Sequence, residues 1–389
     1  MAETIRVALD VMGADRGPAE IIDGGLDAAL ELLPATHDTQ HIPVSDFPDM
    51  QLELLLIGDA ATISQVLTSK SARKLPPGVR VIHAAEVVDM GAKFSDAMKR
   101  KESSIAVGLR MLQQGEADAF VSPGNTAAIV GFSLTTLGRM EHVIRPAIAS
   151  IFPTTSSRPT ILLDCGANAE TKTIHLVQYA LMGSVYASVL FNYPTPRVGL
   201  LSIGEEATKG NEETRDAGEF ISGAGLNFVG NVEGRDILSG TVDVVVTDGF
   251  TGNIILKFAE SIQPFLVKAV RRQLQTNLIS RVGVWLLGPF LRRMRRTFDY
   301  SESGGAPLLG VNGTVVVCHG ASTSKAIRNA VRLAFETAHK QIVPRLSAAM
   351  KEQFAGADPR RDSNVDEHTN TSTDSRDGKF RPTQTTHQR

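Results

Sequence analysis

Six short stretches carry the residue types from which a polar site could be built. They are DVMGAD (10–15), SPGNT (122–126), DCGAN (164–168), IGEEATKGNE (203–212), DGFTGN (248–253) and HGAS (319–322). Each follows a short apolar run: IRVAL, DAFV, TILL, RVGLLS, DVVVT and TVVVC. In open α/β sheets, ligands bind outside the carboxyl ends of the strands. Glycine there lets the backbone approach a ligand, and the helix that follows offers free N–H groups to an anion. One such turn says little, because Gly and Asn are ordinary turn residues. Six converging on one sheet edge predict an anion site. Known motifs do not name the ligand. No GxGxxG follows a strand, GAGLNFVG (223–230) has the wrong spacing and precedes one, and GxxxxGK[ST], HExxH and GxSxG are absent. Asp10, Asp15, Asp164 and Asp248 could offer oxygen to a cation, but carboxylates at strand ends commonly cap helices. No metal and no cofactor is expected.

The runs that must position these turns are strand candidates at 5–9, 52–57, 79–83, 118–122, 147–152, 160–164, 197–203, 226–230, 243–247 and 314–318. Several are apolar throughout, as strands covered on both faces are. Their alternation with helix-like stretches predicts an α/β fold with a largely parallel sheet. Residues 34–49, PATHDTQHIPVSDFPD, read as a loop insertion between the first helix and the second strand. Residues 1–350 are expected to form a single catalytic α/β domain, and the polar residues 351–389 a disordered tail.

With 389 residues the chain can bury a sizeable core, and a formal net charge of −2 gives no global pull toward nucleic acid or anionic lipid. Cys165 and Cys318 show no CxxC spacing, which argues against a disulfide framework or a cysteine zinc site and for a reducing cytoplasm. The N-terminus MAETIRVALDVMGAD lacks a basic region followed by an apolar one, so no secretion signal is expected. No run reaches the roughly 18 apolar residues that cross a bilayer.

One segment stands apart. SRVGVWLLGPFLRRMRRTF (280–298) sets ten uncharged, mostly apolar residues, Val282 to Leu291, beside a cluster of arginines. Residues 259–300 read as a helical hairpin turning near Gly288 and Pro289, with Leu287, Leu291, Met294 and Phe298 recurring at helical spacing. Residues 265–300 hold seven arginines and one lysine against a single acid, Asp299. An apolar face beside arginines fits an interfacial helix on anionic lipid, each basic residue contributing about 1 kcal/mol. Val284, Trp285, Leu286, Leu287, Phe290, Leu291, Arg292, Arg293, Arg295 and Arg296 would make that contact. A dimer-interface hairpin and a docking patch for an acidic partner are the other readings.

Taken together, DVMGADRGP, RKESS (100–104), SPGNTAA, LDCGANAE, LMGSVYA (181–187), SIGEEATKGNE, GNVEGRDIL (230–238), DGFTGN and GGAPLLGVNG (304–313) with HGAS resemble the bacterial acyl-ACP:phosphate acyltransferase family, PlsX. The motifs occur in the family's order over about residues 5–340, and KGNE, GNVEGRDI and GGAPLLG are far more specific than a glycine loop. The resemblance implies transfer of a fatty acyl group from acyl carrier protein to inorganic phosphate, giving acyl phosphate. A membrane acyltransferase would then pass the acyl group to glycerol 3-phosphate, beginning phospholipid synthesis. It also implies a three-layer α/β/α sandwich related to phosphate acetyltransferase and the isocitrate/isopropylmalate dehydrogenase group, with a protruding helical hairpin. A homodimer in the cytoplasm, touching the membrane peripherally through that hairpin, is implied as well. A dehydrogenase of the same broad fold, or a non-catalytic acyl-carrier or lipid-binding scaffold, would be the alternatives.

Phosphate attack on a thioester needs a held phosphate and a stabilised oxyanion more than acid–base help, because a thiolate of pKa about 8.5 leaves readily. Under the resemblance, Lys209 with Gly210 and Asn211 would hold phosphate, and Asn253 would donate to phosphate or oxyanion while Asp248 positions its loop. Asn168 and Asn125 read equally as ligand contacts or turn residues. Lys101 with Ser103 and Ser104 reads as an anion-binding helix start or a plain cap. His319 would protonate the leaving thiolate, or be satisfied by nearby backbone. Cys165 stands where the family commonly carries an aliphatic residue and reads as packing. Pro123, Ala127 and Val317 depart from the family pattern, the last where many members have lysine.

Overall fold

The chain's structure, a computed structural model, describes residues 3–32, 50–69, 76–156, 158–274 and 304–355. Eleven strands form one sheet: β1 (Glu3–Asp10), β2 (Met50–Gly58), β3 (Val79–His83), β4 (Ala119–Ser122), β5 (Ala147–Phe152), β6 (Thr160–Leu163), β7 (Val198–Leu201), β8 (Phe228–Val232), β9 (Val244–Val246), β10 (Ala306–Leu309) and β11 (Thr314–Val317). Every strand expected from the apolar runs is present, β8 starting two residues late. The addition is β10, whose APLL sequence is short and interrupted by proline.

The central strands are largely apolar because both of their faces are buried. Val7 and Leu9 of β1 and Leu54 and Leu56 of β2 enter one core, while Ala8, Leu55 and Ile57 enter the other. The first core is closed by α1 (Pro18–Glu31), α2 (Ala60–Ser69), α6 (Thr173–Phe191), α7 (Glu212–Ser222), α10 (Ser324–His339) and α11 (Ile342–Phe354). Over the second lie α3 (Phe94–Ala97), α4 (Ser104–Gln113), α5 (Thr126–Phe132), α8 (Asp236–Ser239) and α9 (Gly249–Leu274). The result is a three-layer α/β/α sandwich.

The sheet order is β3-β2-β1-β4-β11-β10-β5-β6-β9-β7-β8. The first five strands are mutually parallel, and so are the last four. Between them, β11–β10, β10–β5 and β5–β6 are all antiparallel. Three reversals leave the two parallel groups pointing in opposite directions. The six strand-end turns therefore do not share one sheet edge, as the sequence suggested. They divide three and three.

The sequence boundaries also need correction. The helix expected from residue 259 begins at Gly249 and runs 26 residues to Leu274. Residues 351–354, placed in the polar tail, close α11, and Phe354 is only 2% exposed. The 34–49 insertion, the tail from 356 and the membrane-contact residues 284–296 lie outside the described residues. Helix α6 is long and apolar enough to cross a bilayer, with a mean hydropathy of 1.4, yet 67% of it is buried inside the fold. Its Gln178 is hydrogen-bonded there, Oε1 accepting from Ile144 N at 2.9 Å and Nε2 donating to His142 O at 2.7 Å. This is a core helix.

One buried ion cluster fastens the second strand group. The Asp243 side chain is fully buried and accepts from Arg197 N at 2.8 Å, Arg197 Nη2 at 3.0 Å and Arg158 Nε at 3.0 Å. It thereby joins the chain leading into β9, β7 and β6. Burial pushes its carboxyl up, but the hydrogen bonds from Arg197 and Arg158 outweigh burial and hold it at about 2. A carboxyl depressed in the folded state adds stability above its unfolded pKa, and that stability is lost as pH falls through the folded value. Replacing Asp243→Asn should cost roughly 2–3 kcal/mol near neutral pH, the two partly exposed guanidiniums recovering some hydration. Urea unfolding should also show a flatter acid limb for the variant between about pH 4 and pH 2, where the wild type loses this contribution.

Candidate active site

The ends of β1, β4 and β11 form one group of turns, held by a buried aspartate. Asp10 Oδ1 accepts from Met12 N at 3.0 Å and Gly13 N at 3.3 Å, and Oδ2 accepts from Ser122 Oγ at 2.7 Å. Ser122 Oγ accepts in turn from Gly124 N at 3.0 Å. Two proposed anion ligands are committed here to structure. Asn125 caps α5 through Ala128 N at 3.0 Å and donates Nδ2 to Met90 O at 2.8 Å and to Ala92 O at 3.4 Å. Ser103, fully buried, caps α4 through Ala106 N and donates to Arg100 O at 2.6 Å. Lys101 is exposed beside it. His319 Nδ1 accepts from Ala321 N at 3.0 Å, which places the proton of the neutral ring on Nε2, 3.9 Å from Glu260 Oε2.

The ends of β6, β9 and β7 form the second group, and another buried aspartate organises it. Asp164 Oδ1 accepts from Ile148 N at 2.9 Å, Gly166 N at 3.1 Å and Ala167 N at 3.0 Å. Its Oδ2 accepts from Asn168 N and Asn168 Nδ2, both at 2.9 Å. Burial raises this carboxyl and that of Asp10, against the hydrogen bonds that favour their charge. Asn168 Nδ2 is also 2.7 Å from Pro146 O and 2.9 Å from Tyr179 Oη, so its two hydrogens serve the loop and leave none for a ligand. The turn reading of Asn168 and Asn125 is the one the hydrogen bonds support.

The remaining candidates of this group keep donors available. Asp248 Oδ1 accepts from Thr251 N at 2.8 Å and so starts α9. In the next turn Asn253 is exposed, its side chain 3.3 Å from the position a Cβ on Gly166 would take. Gly166 has φ +124°, open to glycine and strained for other residues. Asn211 caps α7, Oδ1 accepting from Thr214 N at 2.9 Å, which leaves its Nδ2 hydrogens unused among the described residues. Gly210, at φ +97°, bends the chain between Asn211 and Lys209. Lys209 is exposed, its stem against Gly204, and its ammonium has no partner among the described residues.

Helix α9 links the two groups. At its start, a Cβ on Gly249 would overlap the Asn168 carbonyl, and one on Gly252 the Asp164 carbonyl. Three turns later Glu260 faces His319. Seven residues separate Asn253 from Glu260, about 10 Å along the helix, so His319 does not share one point with Asn253. The polar row between them, Lys257 with Glu260 at 3.0 Å, was not apparent from sequence because helix phase, not composition, creates it.

Neither thiol is a nucleophile. Burial, with Asp164 nearby, pushes Cys165 well up, and burial with Asp10 pushes Cys318 up to about 12. Among the described residues, no three His, Cys, Asp or Glu side chains gather as metal ligands do.

The contact of α9 with the Asp164 loop yields a direct test. Gly252→Ala should destabilise by about 2–3 kcal/mol through forced separation of α9 from that loop. Gly91→Ala, where an added Cβ meets nothing within 4 Å, should leave urea unfolding unchanged.

Residues 5–345 match the family described as fatty acid synthesis protein. A phosphate acyltransferase of Heliobacterium modesticaldum is 42% identical over 357 residues, covering 90% of this chain and 98% of that one. Another from Thermodesulfovibrio yellowstonii is 39% identical over 348 residues, covering 90% and 95%. Among solved structures, the EutD phosphotransacetylase of Staphylococcus aureus superposes with a TM-score of 0.52 at 17% identity, covering 87% of this chain and 94% of its own. A phosphotransacetylase of Streptococcus pyogenes gives 0.52 at 18% identity, with 88% and 94% covered. These two likenesses concern the fold alone. With identity near 40% along nine-tenths of its length, the chain belongs to the phosphate acyltransferase family of fatty acid synthesis proteins, and it is an acyltransferase.

Proposed function

We propose that this chain transfers a long-chain fatty acyl group from the thioester of acyl carrier protein to inorganic phosphate, giving acyl phosphate for phospholipid synthesis. The observation that carries this reading is a pair of donors at one strand-end group, the Lys209 ammonium and the Asn253 amide, that have no partner among the described residues. Two protonated thiols argue for direct attack over an acyl-cysteine intermediate.

A phosphate oxygen attacks the thioester carbon, its electron pair forming the new C–O bond while the carbonyl oxygen becomes an oxyanion. Collapse of that adduct breaks the C–S bond and releases the carrier thiolate, which takes a proton. Lys209 offsets the charge of the approaching phosphate, and Asn253 donates to phosphate or oxyanion. His319, its ring hydrogen on Nε2 and about 10 Å further along α9, is the group for proton return to the thiolate if the acyl donor lies along that face.

The proposal includes a cytoplasmic homodimer that meets the membrane through residues 280–298 and hands acyl phosphate to a membrane glycerol-3-phosphate acyltransferase. An amphiphilic, labile product favours release close to its consumer.

The test incubates the protein with palmitoyl-ACP and phosphate and traps product with hydroxylamine, beside phosphate-free and palmitoyl-CoA controls. Phosphate-dependent hydroxamate from the ACP thioester is expected, with kcat/KM lowered roughly 100-fold in Lys209→Ala. No phosphate-dependent product from folded wild type would overturn the proposal and favour the binding scaffold.

A further inference from the structure

Among the buried polar groups that the mechanism so far leaves unused is a histidine. His175, in the first turn of α6, is only 6% exposed. Its Nδ1 accepts from Lys172 N at 3.1 Å, so the neutral ring carries its hydrogen on Nε2. That Nε2–H has no partner among the described residues. Burial, Arg145 and Lys172 push the imidazole down to about 4, so at neutral pH it is a neutral donor between two cations.

Several neighbouring features favour negative charge. Arg145 is exposed, acts electrostatically on both His175 and Tyr179, and has no ion pair among the described residues. Its neighbour Pro146 is tied to the Asn168 loop through the bond from Asn168 Nδ2 at 2.7 Å, which fixes Arg145 beside that loop. Helix α6 is 19 residues long and has no acid in its first turn to offset the positive end of its dipole. The start of α7 adjoins it, Thr173 Oγ1 lying 3.5 Å from Glu213 O, and brings Asn211 and Lys209 to the same edge. The nearest buried carboxylate, Asp164, is already saturated by five N–H groups. Glu212 and Glu213 open α7 nearby, but the charges that act on His175 itself are those of Arg145 and Lys172.

We propose that the N-terminal turn of α6, with Arg145, Lys172 and the Nε2–H of His175, is the pocket that holds inorganic phosphate, the second substrate of the proposed reaction. Arg145 supplies a forked pair of N–H donors, His175 a neutral donor that needs no proton exchange, and the free N–H groups of the helix start the remainder. Lys209 then faces the phosphate from the α7 side. The assignment of phosphate as a substrate rests on the function proposed above; the existence of an anion pocket does not.

The test separates the two. Phosphate is titrated against the melting temperature of the full chain without acyl donor, and KM for phosphate and for palmitoyl-ACP is measured in parallel. Arg145→Ala, an exposed change that should fold normally, is expected to weaken phosphate binding about tenfold to a hundredfold and raise its KM equally. KM for the acyl donor should stay put. Arg145→Lys should recover part of the loss, and His175→Phe should behave like Arg145→Ala if it folds. Arg80→Ala, an exposed arginine on β3, serves as the control. Unchanged phosphate binding in Arg145→Ala would overturn the pocket even with a fully active enzyme. Arg145-dependent phosphate binding without any phosphate-dependent acyl transfer would uphold the pocket and overturn the function.

Discussion

A buried carboxylate with no ion pair among the described residues governs the second half of the molecule. Asp164 emerges from β6 inside the core, where an unpaired charge or an unpartnered acid would each cost several kcal/mol. Five N–H groups resolve this, one from Ile148 at the start of β5 and four from Gly166, Ala167 and Asn168 just after the aspartate. The chain after β6 is therefore wound around its own aspartate. That winding fixes the Asn168 side chain, the entry into α6 and the carbonyls against which Gly249 and Gly252 of α9 lie. Asp10 repeats the device after β1 with Met12, Gly13, Ser104 and Ser122 as donors. Residues that looked like possible cation ligands are instead the posts around which two rigid loops are tied.

Opposed strand directions give α9 its role. Had the strand groups been parallel, all six turns would have met at one edge and a short connection would have sufficed. With the groups reversed, something must run from one set of turns to the other, and α9 does so over β5 and β6. One face packs Leu256 into the sheet, while a polar row descends from Asn253 through Lys257 to Glu260 and His319. Its other flank exposes Phe250, Ile254, Phe258 and Phe265. The helix that carries a candidate donor at its start runs on to Leu274, where the described part of this region ends.

Much of this was legible in the chain. Unbroken apolar runs such as LLLI (54–57) disclosed strands buried on both faces, and the strand-end turns disclosed where polar chemistry gathers. Strand direction was not legible, because APLL carries no periodicity that distinguishes an antiparallel insertion, and β10 is what begins the reversal. The start of α9 was hidden by its own glycines. GFTGN reads as a turn, yet Gly249 and Gly252 are there for close packing on the Asp164 loop, inside a helix. Asn125 and Asn168 could not be sorted from Asn211 and Asn253 by type, since only the acceptors around each amide decide whether its hydrogens are free. Arg145 carried no signal at all: a lone arginine between VI and PAIAS gains meaning only when Pro146 is pinned to Asn168.

The two thiols clarify what kind of catalysis the fold can support. A covalent route needs a thiolate, and a thiolate needs a cation or a helix N-terminus close by. Cys165 has neither benefit, lying within the core beside a carboxylate, and Cys318 has Asp10 as its neighbour. The cations stand one layer outward, at Arg145, Lys172 and Lys209, beside the N-terminal ends of α6 and α7. In the proposed pocket such an arrangement would stabilise a small anion brought in from solvent, and it is of no help to a nucleophile of the protein's own. In the proposed reaction this is the sensible division of labour, because phosphate arrives already charged. The protein has only to hold it still, and the rigidity for that comes from the same Asp164 loop that makes its own aspartate inert.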